Sequence, residues 1–229
     1  MELFQAEHIA VSYRVGGKDR PLFGDVSFAL REGTVYDLVG PSGAGKSTLL
    51  RACALMMARD AGELYLDGEP SSGFKPCEWR RRVCLVPQKP SLVAGTVRDN
   101  LLLPWRLKVR AGEAPPADDA LRELVRYAEL DDVGLDRDVS QLSGGQAARV
   151  ALLRAFATRP RVLLLDEVDA ALDDDSALAV GRLTRSLVDE RTACLRIRHR
   201  ASDGFASGTF TLADGALSFA AAGGEGMRP

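Results

Sequence analysis

A chain of 229 residues, 46% hydrophobic and 27% charged, has the length and make-up of a soluble globular protein with a full core. Its formal net charge of −2 supplies no basic field for nucleic acid, and the triplet Arg80, Arg81, Arg82 reads as a solvated face. The longest apolar stretch, Ala52–Ala58, is far too short to cross a bilayer, so any membrane role must run through a partner.

The opening MELFQAEHIA lacks the basic and apolar regions of a secretion signal. Cys53, Cys77, Cys84 and Cys194 show no CxxC spacing and sit mostly in apolar text, which predicts reduced, buried thiols and a cytoplasmic protein.

In chain order, Leu22–Leu30 alternates apolar residues at Val26, Phe28 and Leu30 and predicts a half-buried strand. Thr34–Val39 predicts an apolar strand running into a glycine-rich loop. A helix over Ser47–Arg59, apolar nearly all round, follows. Glu63–Leu66 with Asp67-Gly68 predicts a strand and tight turn, and Val83–Val86 a short buried strand. Thr96 can cap a helix over Val97–Leu103. Lys108–Asp118 reads as a surface connection, and Ala120, Leu121, Leu124, Val125 and Ala128 mark an amphipathic helix. Gly144 and Gly145 open a helix to Thr158. Strands are expected at Arg161–Leu165 and Ala193–Ile197, a hairpin over Thr209–Phe219, and a frayed tail over 220–229. The expected organisation is one domain, an α/β core over about 1–88 and 158–219 interrupted by a helical subdomain over about 89–157.

Gly40-Pro41-Ser42-Gly43-Ala44-Gly45-Lys46-Ser47, followed by Thr48, fits the phosphate-loop pattern. Its glycines let backbone N–H groups turn inward around phosphate oxygens. The helix start adds its positive end and Lys46 a full charge, while Ser47 offers a hydroxyl to Mg²⁺. A strand precedes the loop and a helix follows it, which is the context that nucleotide binding requires.

Val162–Leu165 then runs into Asp166-Glu167, an apolar strand that presents two acids at the carboxyl edge of its sheet. There Asp166 can hold Mg²⁺ and Glu167 can polarise a water in line with the γ-phosphate. Between the two motifs lies Leu142-Ser143-Gly144-Gly145-Gln146, a second glycine-rich helix start with a hydroxyl and a bare amide to offer an anion.

In this order the motifs make the chain resemble the nucleotide-binding domains of ABC transporters, over roughly residues 2 to 219. The resemblance implies an α/β fold with a RecA-like P-loop NTPase core, an antiparallel β subdomain and a helical insert. It implies a head-to-tail homodimer in the ATP-bound state. Each ATP lies between Gly40–Thr48 of one copy and Ser143, Gly144, Gly145 and Gln146 of the other. It places Tyr13 against adenine, Gln88 near Mg²⁺ and the attacking water, Asp173 in a loop facing the opposite site, and His199 on the γ-phosphate. It departs from the family in having Val168-Asp169-Ala170 after the acid pair, which sets an extra charge beside the Asp173 loop. Tyr36 and Asp37 make the strand before the phosphate loop unusually polar, and Arg196, Arg198 and Arg200 crowd the histidine. With Glu167, Gln88 and His199 all present, hydrolysis is expected.

The implied load is a separate transmembrane permease subunit docking near Gln88–Trp105, with this chain peripheral on the cytoplasmic face of the membrane. Gly95–Lys108 resembles the ATPases of bacterial iron exporters of the FetA type. The alternative is a soluble assembly or regulatory ATPase of the same fold, such as one building iron–sulfur clusters.

Overall fold

The computed structural model describes residues 1–89 and 91–222. Two long strands, β1 (Glu2–Val15) and β2 (Lys18–Arg31), run antiparallel from a turn at Gly16-Gly17. The expected strand Leu22–Leu30 is the inner part of β2, where Phe23, Val26, Phe28 and Leu30 are buried. With β4 (Ala61–Leu66) and β5 (Glu69–Pro70) they form a four-stranded antiparallel sheet in the order β2-β1-β4-β5.

The second sheet holds β3 (Val35–Val39), β6 (Val83–Val86), β7 (Val162–Asp166), β8 (Ala193–Ile197), β9 (Gly208–Ala213) and β10 (Ala216–Ala221). Its order is β10-β9-β3-β8-β7-β6, parallel throughout except for the β9–β10 hairpin. A parallel sheet must be covered on both faces, so its strands read as unbroken apolar runs. Every residue of β7 is buried. Its side chains alternate between two cores. Leu164 packs with Phe4, Leu50 and Trp79, while Leu163 and Leu165 face Leu101, Leu121 and Leu152.

Six α-helices are present among the described residues: α1 (Lys46–Cys53), α2 (Pro76–Arg82), α3 (Val97–Leu102), α4 (Asp118–Tyr127), α5 (Gly144–Phe156) and α6 (Asp174–Leu187). The expected helix Ser47–Arg59 is too long. α1 stops at Cys53 because the chain turns at Leu55, where φ is +52°. Met56 is therefore exposed, and Arg59 turns back to pair with Glu63 at 3.1 Å. α3 starts where its cap predicts. Thr96 accepts from the Asp99 N–H at 3.1 Å, and Asp99 accepts from the Thr96 N–H at 3.0 Å.

Neither α2 nor α6 follows from an apolar periodicity in the sequence. Trp79 anchors α2, fully buried with Nε1 donating to the Cys53 carbonyl at 2.8 Å. The three arginines of α2 are not simply solvated. Arg80 donates to the Leu55 carbonyl, Arg81 pairs with Glu113, and Arg82 lies over the Phe74 ring at 4.9 Å. All four cysteines are free, with Cys53 and Cys194 buried but Cys77 exposed. Burial pushes the Cys53 and Cys194 thiols up to about 12, so both stay protonated. Of the expected tail, Ala220 and Ala221 belong to β10 and residues 223–229 lie outside the described residues.

Among the described residues, no helix is long and apolar enough to cross a membrane.

Candidate active site

β3 ends at Val39, and residues 40–45 turn the chain into α1. Gly40 has φ +145°, and a Cβ there would stand 2.0 Å from the Leu212 carbonyl oxygen of β9, so only glycine fits. Gly45 caps α1 at φ +98° with no side-chain hydrogen bond. The first N–H groups of the helix are therefore not taken up by a capping side chain and remain available to an anion. Lys46 is 5% exposed, and its Nζ donates to the carbonyls of Gly40 (2.8 Å) and Pro41 (2.9 Å). The ammonium is thus fastened across the mouth of the loop.

The carboxyl end of β7 meets this loop. Ser47 Oγ donates to Asp166 Oδ1 at 2.7 Å, and Asp166 is 5% exposed. The next residue, Glu167, has φ +51°, a conformation that a non-glycine residue holds only when its surroundings fix it. Two side chains hold its carboxylate. Gln88 Nε2 donates to Glu167 Oε2 at 2.9 Å, and His199 Nε2 lies 2.8 Å from Glu167 Oε1. Gln88 follows β6 and His199 follows β8, the strands on either side of β7. The sheet order thus carries all three groups to one edge.

A cleft of about 450 Å³ opens over this edge, lined by Tyr13, Ser42, Gly43, Gly45, Lys46, Ser47, Thr48, Glu167 and His199 among others. Tyr13 projects from β1, half-exposed. Ser143, Gly144, Gly145 and Gln146 do not line the cleft. They start α5 through a reciprocal cap, in which Ser143 Oγ accepts from the Gln146 N–H at 3.2 Å and Gln146 Oε1 from the Ser143 N–H at 2.9 Å. Ser143 and Gly144 are exposed. Asp173 caps α6, accepting from the Ser176 N–H at 2.9 Å. That bond, with further help from the Ser176 side chain, holds the carboxyl below its ordinary range.

The unusual residues around these motifs come together in a way that sequence reasoning misses. Asp169 does not present its charge to solvent beside the Asp173 loop. It is buried, with Oδ2 3.3 Å from Arg198 Nε. Arg196 donates through Nε to Asp37 Oδ1 at 2.6 Å and through Nη2 to Asp203 Oδ1 at 2.7 Å. Asp203, which no motif marks, also pairs with Arg198. Tyr36, the other polar residue of β3, packs its ring against Phe210 and Phe219. Burial drives Asp37 above its ordinary range, and Arg196 only partly offsets this. Burial also pushes Asp203 upward, but the hydrogen bond and charge of Arg196 outweigh it and hold the carboxyl low.

Residues 23–170 match the family model described as ABC transporter. The chain is 36% identical over 190 residues to the "Probable iron export ATP-binding protein FetA" of Escherichia coli (strain K12), covering 82% of each. It is also 36% identical over 196 residues to an "ATP-dependent lipid A-core flippase" of Xanthomonas euvesicatoria pv. vesicatoria (strain 85-10), covering 84% of this chain and 33% of that longer one. Among solved structures it is similar to the ATP-binding cassette MJ0796, a dimer in a post-hydrolysis state bound to ADP and Pi. The TM-score is 0.81 and the identity 25%, over 96% of this chain and 98% of that one. Fold, family match and relatives agree: the chain belongs to the ABC transporter family, as an ATP-binding and ATP-hydrolysing cassette.

Proposed function

We propose that this cassette is the motor of a metal exporter, most specifically for iron. It works as an ATP-bound homodimer on the cytoplasmic face of the membrane and drives a separate transmembrane permease subunit. The observation that carries the hydrolytic reading is Glu167, gripped by Gln88 and His199 at the strand edge that faces the Lys46 loop. The iron reading is supported by the likeness to FetA and by the segment Gly95–Lys108.

In this reading Gly40–Thr48 wraps the triphosphate with inward N–H groups, and Lys46 exchanges its loop carbonyls for phosphate oxygens. Tyr13 packs against adenine. Ser47 and Asp166 are hard oxygen donors already 2.7 Å apart, a set that suits Mg²⁺, with Gln88 close by through Glu167. Mg²⁺ bound there neutralises charge on the terminal phosphates. Glu167 orients and polarises the attacking water, and His199 contacts the γ-phosphate. Ser143, Gly144, Gly145 and Gln146 of the second copy close the site, and Asp173 faces the opposite centre. Losing the γ-phosphate removes the charge-assisted bonds between the copies and opens the clamp.

The segment about 89–157 forms the helical subdomain between the two parts of the core, about 1–88 and 158–219. The permease docks near Gln88–Trp105. Nucleic acid has no part in this reading.

Cellular metal content is the test. Cells that lack the gene, and cells carrying only Glu167→Gln, should both accumulate iron and lose iron tolerance. Unchanged iron content and tolerance in both would refute export. A cytosolic scaffold co-purifying in place of a multi-span membrane protein would favour the assembly ATPase.

A further inference from the structure

Behind the phosphate cleft lies a group of charged side chains that the roles above leave unused: Asp37, Asp169, Arg196, Arg198 and Asp203. Each of the five side chains is 5–8% exposed. Withdrawing five charges from water is costly, and apolar residues would fill the same space at least as stably. Stability alone therefore does not explain them.

The cluster has two arms. The inner arm lies within the sheet, since Asp37 of β3 and Arg196 of β8 are register partners joined by a 2.6 Å hydrogen bond. The outer arm leaves the sheet. Arg198, next in sequence to His199, contacts Asp203 on one side and Asp169 on the other. Asp169 sits two residues beyond Glu167. One buried guanidinium therefore ties the turn that carries Glu167 to the turn that carries His199. Its Nε and Nη1 are buried without an aligned hydrogen bond, so it is gripped by charge from both sides. Arg200, beyond His199, reaches the Leu172 carbonyl and Asp174. Both arginines flanking the histidine thus grasp the segment after β7. The pair they bracket, His199 Nε2 and Glu167 Oε1, stands 2.8 Å apart.

We propose that Arg198, braced between Asp169 and Asp203, is a positioning residue for hydrolysis: by tying the two turns together it sets the spacing of Glu167 and His199. This rests on the roles proposed above for those two residues.

Arg198→Lys tests it. Lysine keeps the charge, but its compact ammonium lacks the planar reach with which the guanidinium meets one carboxylate at Nε and the other at Nη1. Asp169→Asn cuts the same tie from the other end. Hydrogen exchange on the full chain should show faster amide exchange in both turns, 167–173 and 198–204, for Arg198→Lys. Asp169→Asn should raise exchange in 198–204, a turn to which it does not belong. In steady-state ATPase assays kcat should fall about tenfold with KM for ATP within about twofold, as expected for a misplaced reacting group. The double variant should be no slower than the slower single one. Asp37→Asn, on the inner arm, should lower the melting temperature and leave kcat unchanged.

Exchange altered only in the turn that bears the substitution, or an unchanged kcat in folded Arg198→Lys, would overturn the proposal. Should Arg198→Lys fail to fold, Asp169→Asn carries the same two readouts. The exchange result needs no turnover, so it stands apart from the site reading. That reading fails by itself if Glu167→Gln hydrolyses ATP at the wild-type rate.

Discussion

Ser47 Oγ donates to Asp166 Oδ1 at 2.7 Å, joining the first turn of α1 to the end of β7 across 119 residues of sequence. The contact forms because the parallel strands end at one edge, where the phosphate loop also opens. Both groups are oxygen donors, and neither supplies a cation site alone. Ser47→Ala should leave the fold intact and raise the Mg²⁺ concentration needed for ATP hydrolysis by about 10-fold or more, by analogy with the loss of a metal-site partner. A Mg²⁺ titration of ATPase activity reads this directly, and an unshifted midpoint would remove Ser47 from the cation site.

Lys46 is nearly buried and already hydrogen-bonded twice to loop carbonyls. Its charge is thus placed before nucleotide arrives. A charge-assisted bond contributes about 1.5–3 kcal/mol, so losing two to phosphate oxygens in Lys46→Ala should weaken ATP binding about 100-fold or more. Equilibrium titration with a fluorescent ATP analogue is the measurement, and tight binding by the variant contradicts the assignment.

Glu167→Gln keeps the side-chain size and the contact with Gln88 but removes the carboxylate proposed to polarise the attacking water. Hydrolysis should slow by about 10²–10⁴-fold, while ATP binding persists. The variant should accumulate as an ATP-bound dimer in light scattering. If it stays monomeric at saturating ATP, the clamp reading is wrong.

The inner ion pair makes a stability prediction with a direction. Arg196 serves two buried carboxylates, Asp37 and Asp203, so Arg196→Met strands Asp37, leaves Asp203 with Arg198 alone, and should cost about 3–5 kcal/mol. Burial already disfavours the Asp37 carboxylate. Asp37→Asn should therefore cost clearly less. Urea unfolding at neutral pH compares the two, and an equal or larger loss for Asp37→Asn would reverse the argument.

Asp99 contributes an acid dependence. The Thr96 N–H, then the Thr96 hydroxyl and Arg106, hold its carboxyl at about 2, below the ordinary 3.8. A carboxyl depressed in the folded state stabilises fully above its unfolded value and loses that contribution as pH falls through the folded one. Asp99→Asn should therefore be less stable than wild type at pH 7, and the gap should narrow as pH drops from about 4 toward about 2. Urea midpoints of both proteins across that range decide it, and a constant gap would mean that the capping carboxylate is not the titrating group.

The local motifs were legible because their chemistry is contiguous. The loop from Gly40 to Ser47, the acid pair ending β7 and the cap at Thr96 each place their partners within a few residues. The apolar runs at Val83–Val86, Val162–Leu165 and Ala193–Ile197 read as strands because a parallel sheet covered on both faces leaves no polar alternation. Elsewhere the text misled. The apolar text continues past Cys53, yet Leu55 turns with a positive φ and sends Met56 to the surface. α6 begins in the acidic run Asp173-Asp174-Asp175 and holds Gly181 in mid-helix, so its helical register is decided by packing on the sheet.

By itself the sequence determined the family and marked the Gly40–Ser47 loop and the acids Asp166 and Glu167 as its candidate site, since these depend on neighbouring residues and their order. Only the tertiary structure decided how the odd charges are used. Asp37, Asp169, Arg196 and Arg198 look like isolated departures along the chain, and Asp203 carries no mark at all, because partners stand up to 159 residues apart. Folding removes water from all five at once, and in that low-dielectric setting each charge must find its opposite.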